Sequence, residues 1–444
     1  MPLRAIVLVV FFVISLPICL FRPFYGVMLW IVVAFLNPQS FTWSSFEAFP
    51  WAAAVAVPTM LGMLVFDHKF GRFASRNFWL IVVLWVWFTI TTLISTNTPE
   101  FEHHAVETWQ RWNLVSKVLL MSACMIPIVN SFERLRYLVM TIAGCFGLYV
   151  LKSLPFIVVT GGAFRLYGPE HSMIADNNDF GLALNMTLPL YFCLAQTESR
   201  RWVRALFVFL FIITIPAIFF TYSRGALVGL AAVFLLMLLQ SRRRLALVPV
   251  VVLGIAIAIF FAPDAWKQRM DLTSPDAVDR SAQSRLNSWA YARALAAEYP
   301  IAGGGFATFT AELYDQYAPV KSDIVYGPHS VYFQVLAEHG YVGLSLYLLL
   351  VISCLAATRR LRKQARSRGD TQVAQYAQMF QFSMAAFLVS GLFLGRAYYD
   401  YFFTIVACLV ALEQAARDRW ISAGSVVTMP LSNTRAQFEG DVVH

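Results

Sequence analysis

The feature that most constrains this chain is its succession of apolar runs, each long enough to cross a hydrocarbon core of about 30 Å. Leu138 to Val159 and Leu245 to Phe261 are almost continuously apolar. In lipid such a stretch must satisfy its own backbone hydrogen bonds, which leaves only helices or closed barrels. A barrel needs short segments of alternating polarity, and these are not that. With 59% hydrophobic, 15% aromatic and only 13% charged residues over 444 positions, the sequence reads as an all-α, polytopic transmembrane protein.

The net charge of +9 does not point to nucleic acid, because the cations fall in short clusters between the apolar runs. That distribution encodes membrane orientation and contact with anionic lipid. The six cysteines, at 19, 124, 145, 193, 354 and 408, all lie inside apolar runs and show neither a disulfide framework nor zinc spacing. Arg4 ahead of an apolar stretch resembles a signal peptide, but no small-residue cleavage site follows, so the segment reads as a retained span.

Arg134 with Arg136, Arg200 with Arg201 and Arg204, Arg242 to Arg244, and Arg359 to Arg368 should face the cytoplasm. An even number of spans must separate successive clusters. Pairs at about 137–159 and 180–197, 205–221 and 226–240, and 245–261 and 331–357 satisfy that parity. A further pair at about 376–395 and 401–415 follows, and spans at about 51–66, 78–95 and 112–130 precede. The loops 160–179, 222–225 and 262–330, and Arg396 to Asp400, then lie outside, which is the periplasm in a two-membrane bacterium. The first 36 residues form either one long broken helix or a hairpin at Arg22-Pro23; about twelve spans with both ends cytoplasmic is the simpler solution, because Arg4 then obeys the charge rule. This makes 1–421 a membrane domain with the loop 262–328 inserted, and 422–444 a disordered cytoplasmic tail. No internal repeat supports an inverted-repeat transporter.

Within the large loop, Arg280 to Tyr299 predicts an amphipathic helix lying on the membrane, with Leu286, Trp289, Ala290, Ala294 and Ala297 as its apolar positions. Pro300 and Gly303 to Gly305 end it, and Phe306 to Tyr317 predicts a second short helix. The loop is too small for an independent catalytic domain and reads as a lid over a cavity between helices.

Charged groups at membrane depth are site candidates by default. Arg224, in the tight connection Ser223-Arg224-Gly225, offers forked donors suited to phosphate oxygens. Arg165 and Asn178 belong to a polar loop that could equally be the N-cap of the next helix. Lys117 and Lys152 lie in apolar spans near their outer ends, where snorkelling is the plain alternative. Arg285 lies on the lid helix, and Arg396 in a short turn where an ion pair with Asp400 is the simplest reading. His329 carries most weight. Pro328 fixes the approach, His329 and Ser330 open a helix, and Gly340 and Gly343 allow close helix packing on later turns. His339, deeper and beside glycine, reads as structural.

Arginines on one face could hold a pyrophosphate-linked lipid while a histidine of ordinary pKa near 6.5 takes a proton from an acceptor hydroxyl. Pyrophosphate neutralised by guanidinium is a good leaving group, so no metal, nucleotide or other cofactor is called for. Asp176, Asp179, Asp276, Asp279 and Asp400 are too scattered to form a metal site.

The pattern His329-Ser330, nine residues, Gly340-x-x-Gly343 resembles the signature of bacterial O-antigen ligases and related polymerases and O-oligosaccharyltransferases. Ser223-Arg224-Gly225 resembles their second arginine motif, and Arg285-Leu286 through Trp289 to Pro300 and Gly303 the stretch before their lid. Gly162 to Asn178 and the N-terminal third look closest to exosortase-associated O-glycosylation ligases. The resemblance implies a GT-C-like, metal-independent glycosyltransferase of the bacterial inner membrane. It would move a glycan from undecaprenyl pyrophosphate to a lipid A-core hydroxyl at the periplasmic face, with inversion. It implies His329 as base and Arg224 and Arg285 on the pyrophosphate. A polymerase, a protein O-oligosaccharyltransferase and, outside the class, a lipid-linked glycan transporter remain as alternatives.

Overall fold

The computed structural model describes residues 3–42, 49–66, 75–170, 172–240, 260, 262–270, 275–320 and 324–427. Among them the regular structure is entirely helical. In order the helices are α1 (Leu3–Phe21), α2 (Pro23–Ile31, running into a π-turn Val32–Leu36), α3 (Trp51–Phe66), α4 (Arg76–Thr96), α5 (Ala105–Ile128), α6 (Phe132–Thr160), α7 (Asn177–Thr197), α8 (Arg201–Phe219) and α9 (Arg224–Gln240). Then follow α10 (Asp264–Met270), α11 (Pro275–Glu298), α12 (Ala311–Tyr317), α13 (Val331–Ser367), α14 (Thr371–Ser390) and α15 (Asp400–Val427). Among the described residues, α4, α6, α8 and α13 are long and apolar enough to cross a membrane, and α1, α2, α3 and α9 are shorter apolar helices. Many large apolar side chains face outward from them, such as Val83, Val86 and Leu93 on α4. In water so wide an apolar surface would be a liability; against lipid it carries no penalty. Apart from residue 260, the expected span at 245–261 lies outside the described residues, as do the cluster Arg242 to Arg244 and the tail from 428, and α15 itself continues to Val427.

α7 and α15 form the buried centre. Positions 401–412 of α15 are buried without a break, and most of α7 is too. Thr187 and the Tyr401 hydroxyl pair between them at 3.0 Å.

The chain reverses at Arg22, which corrects the simpler topology expected for the first 36 residues. α1 and α3 run parallel, because Phe12 stacks on Trp51 at 4.3 Å and Phe21 meets Phe66 at 5.5 Å. Gly26 of α2 then lies back against Thr59. Pro23 starts the new helix where its missing N–H costs nothing, and Arg22 leaves helical geometry at φ −137°, ψ 76°. Arg134 packs over Phe24 and Arg419 over Phe132, so the hairpin and the end of α15 share one end of the bundle. Arg4 is at the other end. The charge pattern is still respected, with Arg22 at the basic end in place of Arg4.

The chain also breaks sharply inside α13. Gly340 has φ 67° and ψ −170°, which separates Val331–His339 from the rest of the helix. Carbonyls released by the break are taken up elsewhere. Gly304 N–H donates to Ala337 O and Gly305 N–H to Glu338 O, each at 2.9 Å, while Trp87 Nε1 donates to His339 O at 3.2 Å. Tyr341 N–H returns a bond to Pro300 O at 2.8 Å. The triple glycine after the lid helix is thus docked on the backbone of the kink, not merely a helix stop. The expectation that Gly340 serves helix–helix packing is corrected accordingly: a Cβ there would stand 2.6 Å from Ile301 C and 2.7 Å from Pro300 O. Gly340→Ala should therefore lower stability by about 2–4 kcal/mol, from left-handed strain plus a backbone clash. Thermal unfolding in detergent reads this; a loss below about 0.5 kcal/mol would contradict it.

The lid helix α11 is present but turned relative to expectation. Leu286 is exposed, and the buried positions are Ser288, Tyr291, Ala292, Leu295 and Ala296. They pack on α12 and the first segment of α13, with Tyr291 stacked on Tyr314 at 4.0 Å and Trp289 on Phe333 at 5.1 Å. Within the described residues the helix is docked on protein, because its aromatic stripe finds aromatic partners on α12 and α13.

Candidate functional site

Four loops gather at the end of the bundle opposite Arg134. Residues 161–170 and 172–176 lie on the turn before α9, through Leu166 N–H to Phe220 O at 2.9 Å and Asn177 Nδ2 to Thr221 O at 2.7 Å. Residues 391–399 close on the start of α13, where Val331 N–H donates to Gly391 O at 2.9 Å. Pro328 packs on Gly395, so closely that a Cβ there would be 3.1 Å from Pro328 Cβ. The lid joins them where Ser288 Oγ donates to Gly327 O at 2.7 Å.

Arg224 is the first residue of α9, and Ser223 caps the helix by accepting Ala226 N–H at 3.1 Å. The guanidinium thus starts from a helix N-terminus, a position that favours anions. Phe393 ties this corner to the lid: it lies against Gly225, and the Arg285 guanidinium sits 5.9 Å above its ring. His329 follows Pro328 on the same side, half-buried and within electrostatic reach of both Arg285 and Asp176.

Two residues in these loops hold left-handed backbone without being glycine: Tyr222 at φ 58°, just before Ser223-Arg224, and His329 itself at φ 45°. Such conformations cost about 1–3 kcal/mol each and persist where surrounding contacts over-determine them. Burial holds the His329 imidazole below its usual range, the Arg285 charge lowers it further, and Asp176 pulls the other way. At neutral pH the ring is unprotonated and can accept a proton.

The other expected site residues divide. Arg165 is exposed on a cleft of about 630 Å³ that Phe156, Phe164, Tyr167 and Tyr222 also line. Arg396 is ion-paired with Asp179 of α7, not with Asp400, whose carboxylate accepts Tyr401 N–H at 2.7 Å. Asn178 Nδ2 donates to Asp176 Oδ1 at 2.9 Å within the α7 cap, the plainer of its two expected roles. Lys152 lies two turns before the end of α6 with its ammonium 5.3 Å over Phe41. Lys117 is exposed midway along α5, deeper than expected and outside the loop cluster. His339 is enclosed, stacked on Phe88 at 4.1 Å with Nδ1 2.7 Å from Thr91 Oγ1.

Reading the sequence passed over Glu338, Gln334 and Tyr398. Glu338 is 4% exposed and accepts the Tyr398 hydroxyl, and Gln334 Oε1 accepts Ala397 N–H at 3.1 Å. The signal was present: a carboxylate inside an apolar run, four residues after a glutamine, puts two polar groups on one helix face. Among the described residues no three His, Cys, Asp or Glu side chains converge as a metal site would require.

Residues 208–348 match the family model described as O-antigen ligase, and residues 3–193 match a family of unknown function (DUF5935). No curated protein matches the chain. The first of these stretches runs from α8 into α13 and contains Arg224, Arg285, His329 and the Gly340 kink.

Proposed function

We propose, from the premise that this is an O-antigen ligase-like membrane protein, that it is a GT-C-like, inverting glycosyltransferase. In this reading it moves a glycan from undecaprenyl pyrophosphate to a sugar hydroxyl of lipid A-core at the periplasmic face of the inner membrane. The observation that carries the reading is the convergence of the Arg224 and Arg285 corner with a neutral His329 at one end of the bundle. His329 takes the acceptor proton as the oxygen attacks the anomeric carbon, and the bond from that carbon to the pyrophosphate oxygen breaks on the opposite face. Arg224 and Arg285 stabilise the charge that develops on the departing pyrophosphate. One displacement gives inversion and needs no protein nucleophile. Arg165, on its aromatic cleft beside Tyr222, supports contact with the lipid side of the donor.

The test is transfer by the purified protein from undecaprenyl-pyrophosphate glycan, in excess chelator and without nucleotide, with lipid A-core, free glycan and acceptor protein offered in parallel. Glycosylated lipid A-core is the expected product. Chain extension or glycoprotein would reassign it to a polymerase or an O-oligosaccharyltransferase. A strict metal requirement would contradict the scheme, and no turnover with any acceptor would leave transport as the better reading.

A further inference from the structure

We infer that Glu338 is a positioning residue, which through Tyr398 holds the 391–399 loop and with it the spacing between Arg224, Arg285 and His329. The observation is a clamp. Gln334 and Glu338 stand one turn apart on the first segment of α13 and grip consecutive residues of that loop, Ala397 by its N–H and Tyr398 by its hydroxyl. The Glu338 carboxylate also lies in the field of Arg111 and faces Gln334 and Ala307, the latter held at φ 61°. Tyr398 is fixed in turn, its ring edge-on to Phe88 at 5.4 Å and Phe306 at 5.0 Å.

The gripped loop is the piece that touches each part of the site. Gly391 accepts from Val331, Gly395 meets Pro328 beside His329, Phe393 lies between Gly225 and Arg285, and Arg396 pairs with Asp179. A buried carboxylate is costly unless its hydrogen bonds are complete, so the loop has one low-energy placement, the one that completes them. The kink supplies the other half of the device: the break at Gly340 frees the Glu338 carbonyl to accept from Gly305, fixing the helix segment that carries the clamp.

The role rests on the transferase reading only for its kinetic readout, so the experiment has two arms. Spin labels at Leu392→Cys and Leu286→Cys, both exposed positions on the loop and on α11, report their separation by pulsed electron resonance. The six native cysteines are all buried. A narrow distribution is expected in the parent, a clearly broadened one with Glu338→Ala or Tyr398→Phe, and a narrow one again with Glu338→Gln, whose amide oxygen still accepts the tyrosine hydroxyl. In the second arm kcat should fall about 100-fold for Glu338→Ala, as for an alignment error of about 1 Å. Glu338→Gln should recover most of that loss, and adding Tyr398→Phe to Glu338→Ala should cost nothing further. Unchanged distances in the alanine variant, or additive losses, would overturn the inference. Changed distances with no transfer in the parent would uphold the clamp and reject the transferase reading.

Discussion

His329→Ala should reduce glycan transfer by about 10²–10⁴-fold, the range for removing a positioned general base, while binding of undecaprenyl pyrophosphate stays within about threefold of the parent. The arginines that would hold the pyrophosphate start from α9 and α11, not from the turn that carries His329. A single-turnover assay beside a binding titration separates the two effects; retained turnover removes the imidazole from the mechanism. The pH profile gives a second check with a definite sign. A base must be deprotonated to act, so kcat should rise with pH and level off once the imidazole has lost its proton. Burial and the Arg285 charge lower that pKa, so the midpoint should lie below 6.5 and the rate should be flat near neutrality. Arg285→Gln removes a repelling positive charge and should move the midpoint upward. An unmoved midpoint would dissociate the two residues.

Arg224→Ala should cost about 10²–10³ in kcat, or roughly 3–4 kcal/mol, if the guanidinium meets charge that grows as the pyrophosphate leaves. Arg224→Lys should recover only part of this, because an ammonium keeps the charge but not the fork. The effect depends on where α9 begins. Ser223 ends the turn and caps the helix, so the first side chain of α9 projects at the end of the bundle where the loops meet. Wild-type kinetics for the alanine variant would sink the assignment; a loss confined to donor KM would make Arg224 a binding residue with no part in the chemical step.

Much of the fold can be read from residue order because the bilayer is a demanding solvent. Apolar length, the alternation of basic clusters and the glycine and proline punctuation place most helices within a few residues, as with Trp51–Phe66 and Phe132–Thr160. Asn178 and the Asp176 cap were legible for the same local reason. The N-terminal hairpin was not, since one arginine at Arg4 outweighed a proline break whose geometry depends on what α3 offers to pack against. Nor could the buried face of α11 be read. Leu286 and Ala297 suit an apolar stripe as well as Tyr291 and Leu295 do, and the aromatic partners on α12 and α13 decide between them.

Arg224, Arg285 and His329 stand out in the chain because charge beside long apolar runs needs a reason to be there, and that much sequence alone determines. The tertiary structure decided which of the cations meet. It set Lys117 midway along α5, put Lys152 over Phe41, gave Arg396 to Asp179, and brought forward Glu338, whose clamp joins residues sixty positions apart. The physical reason is that a pairing between distant segments depends on how helices close against one another. Local spacing fixes which face a side chain takes, while packing alone fixes what stands opposite.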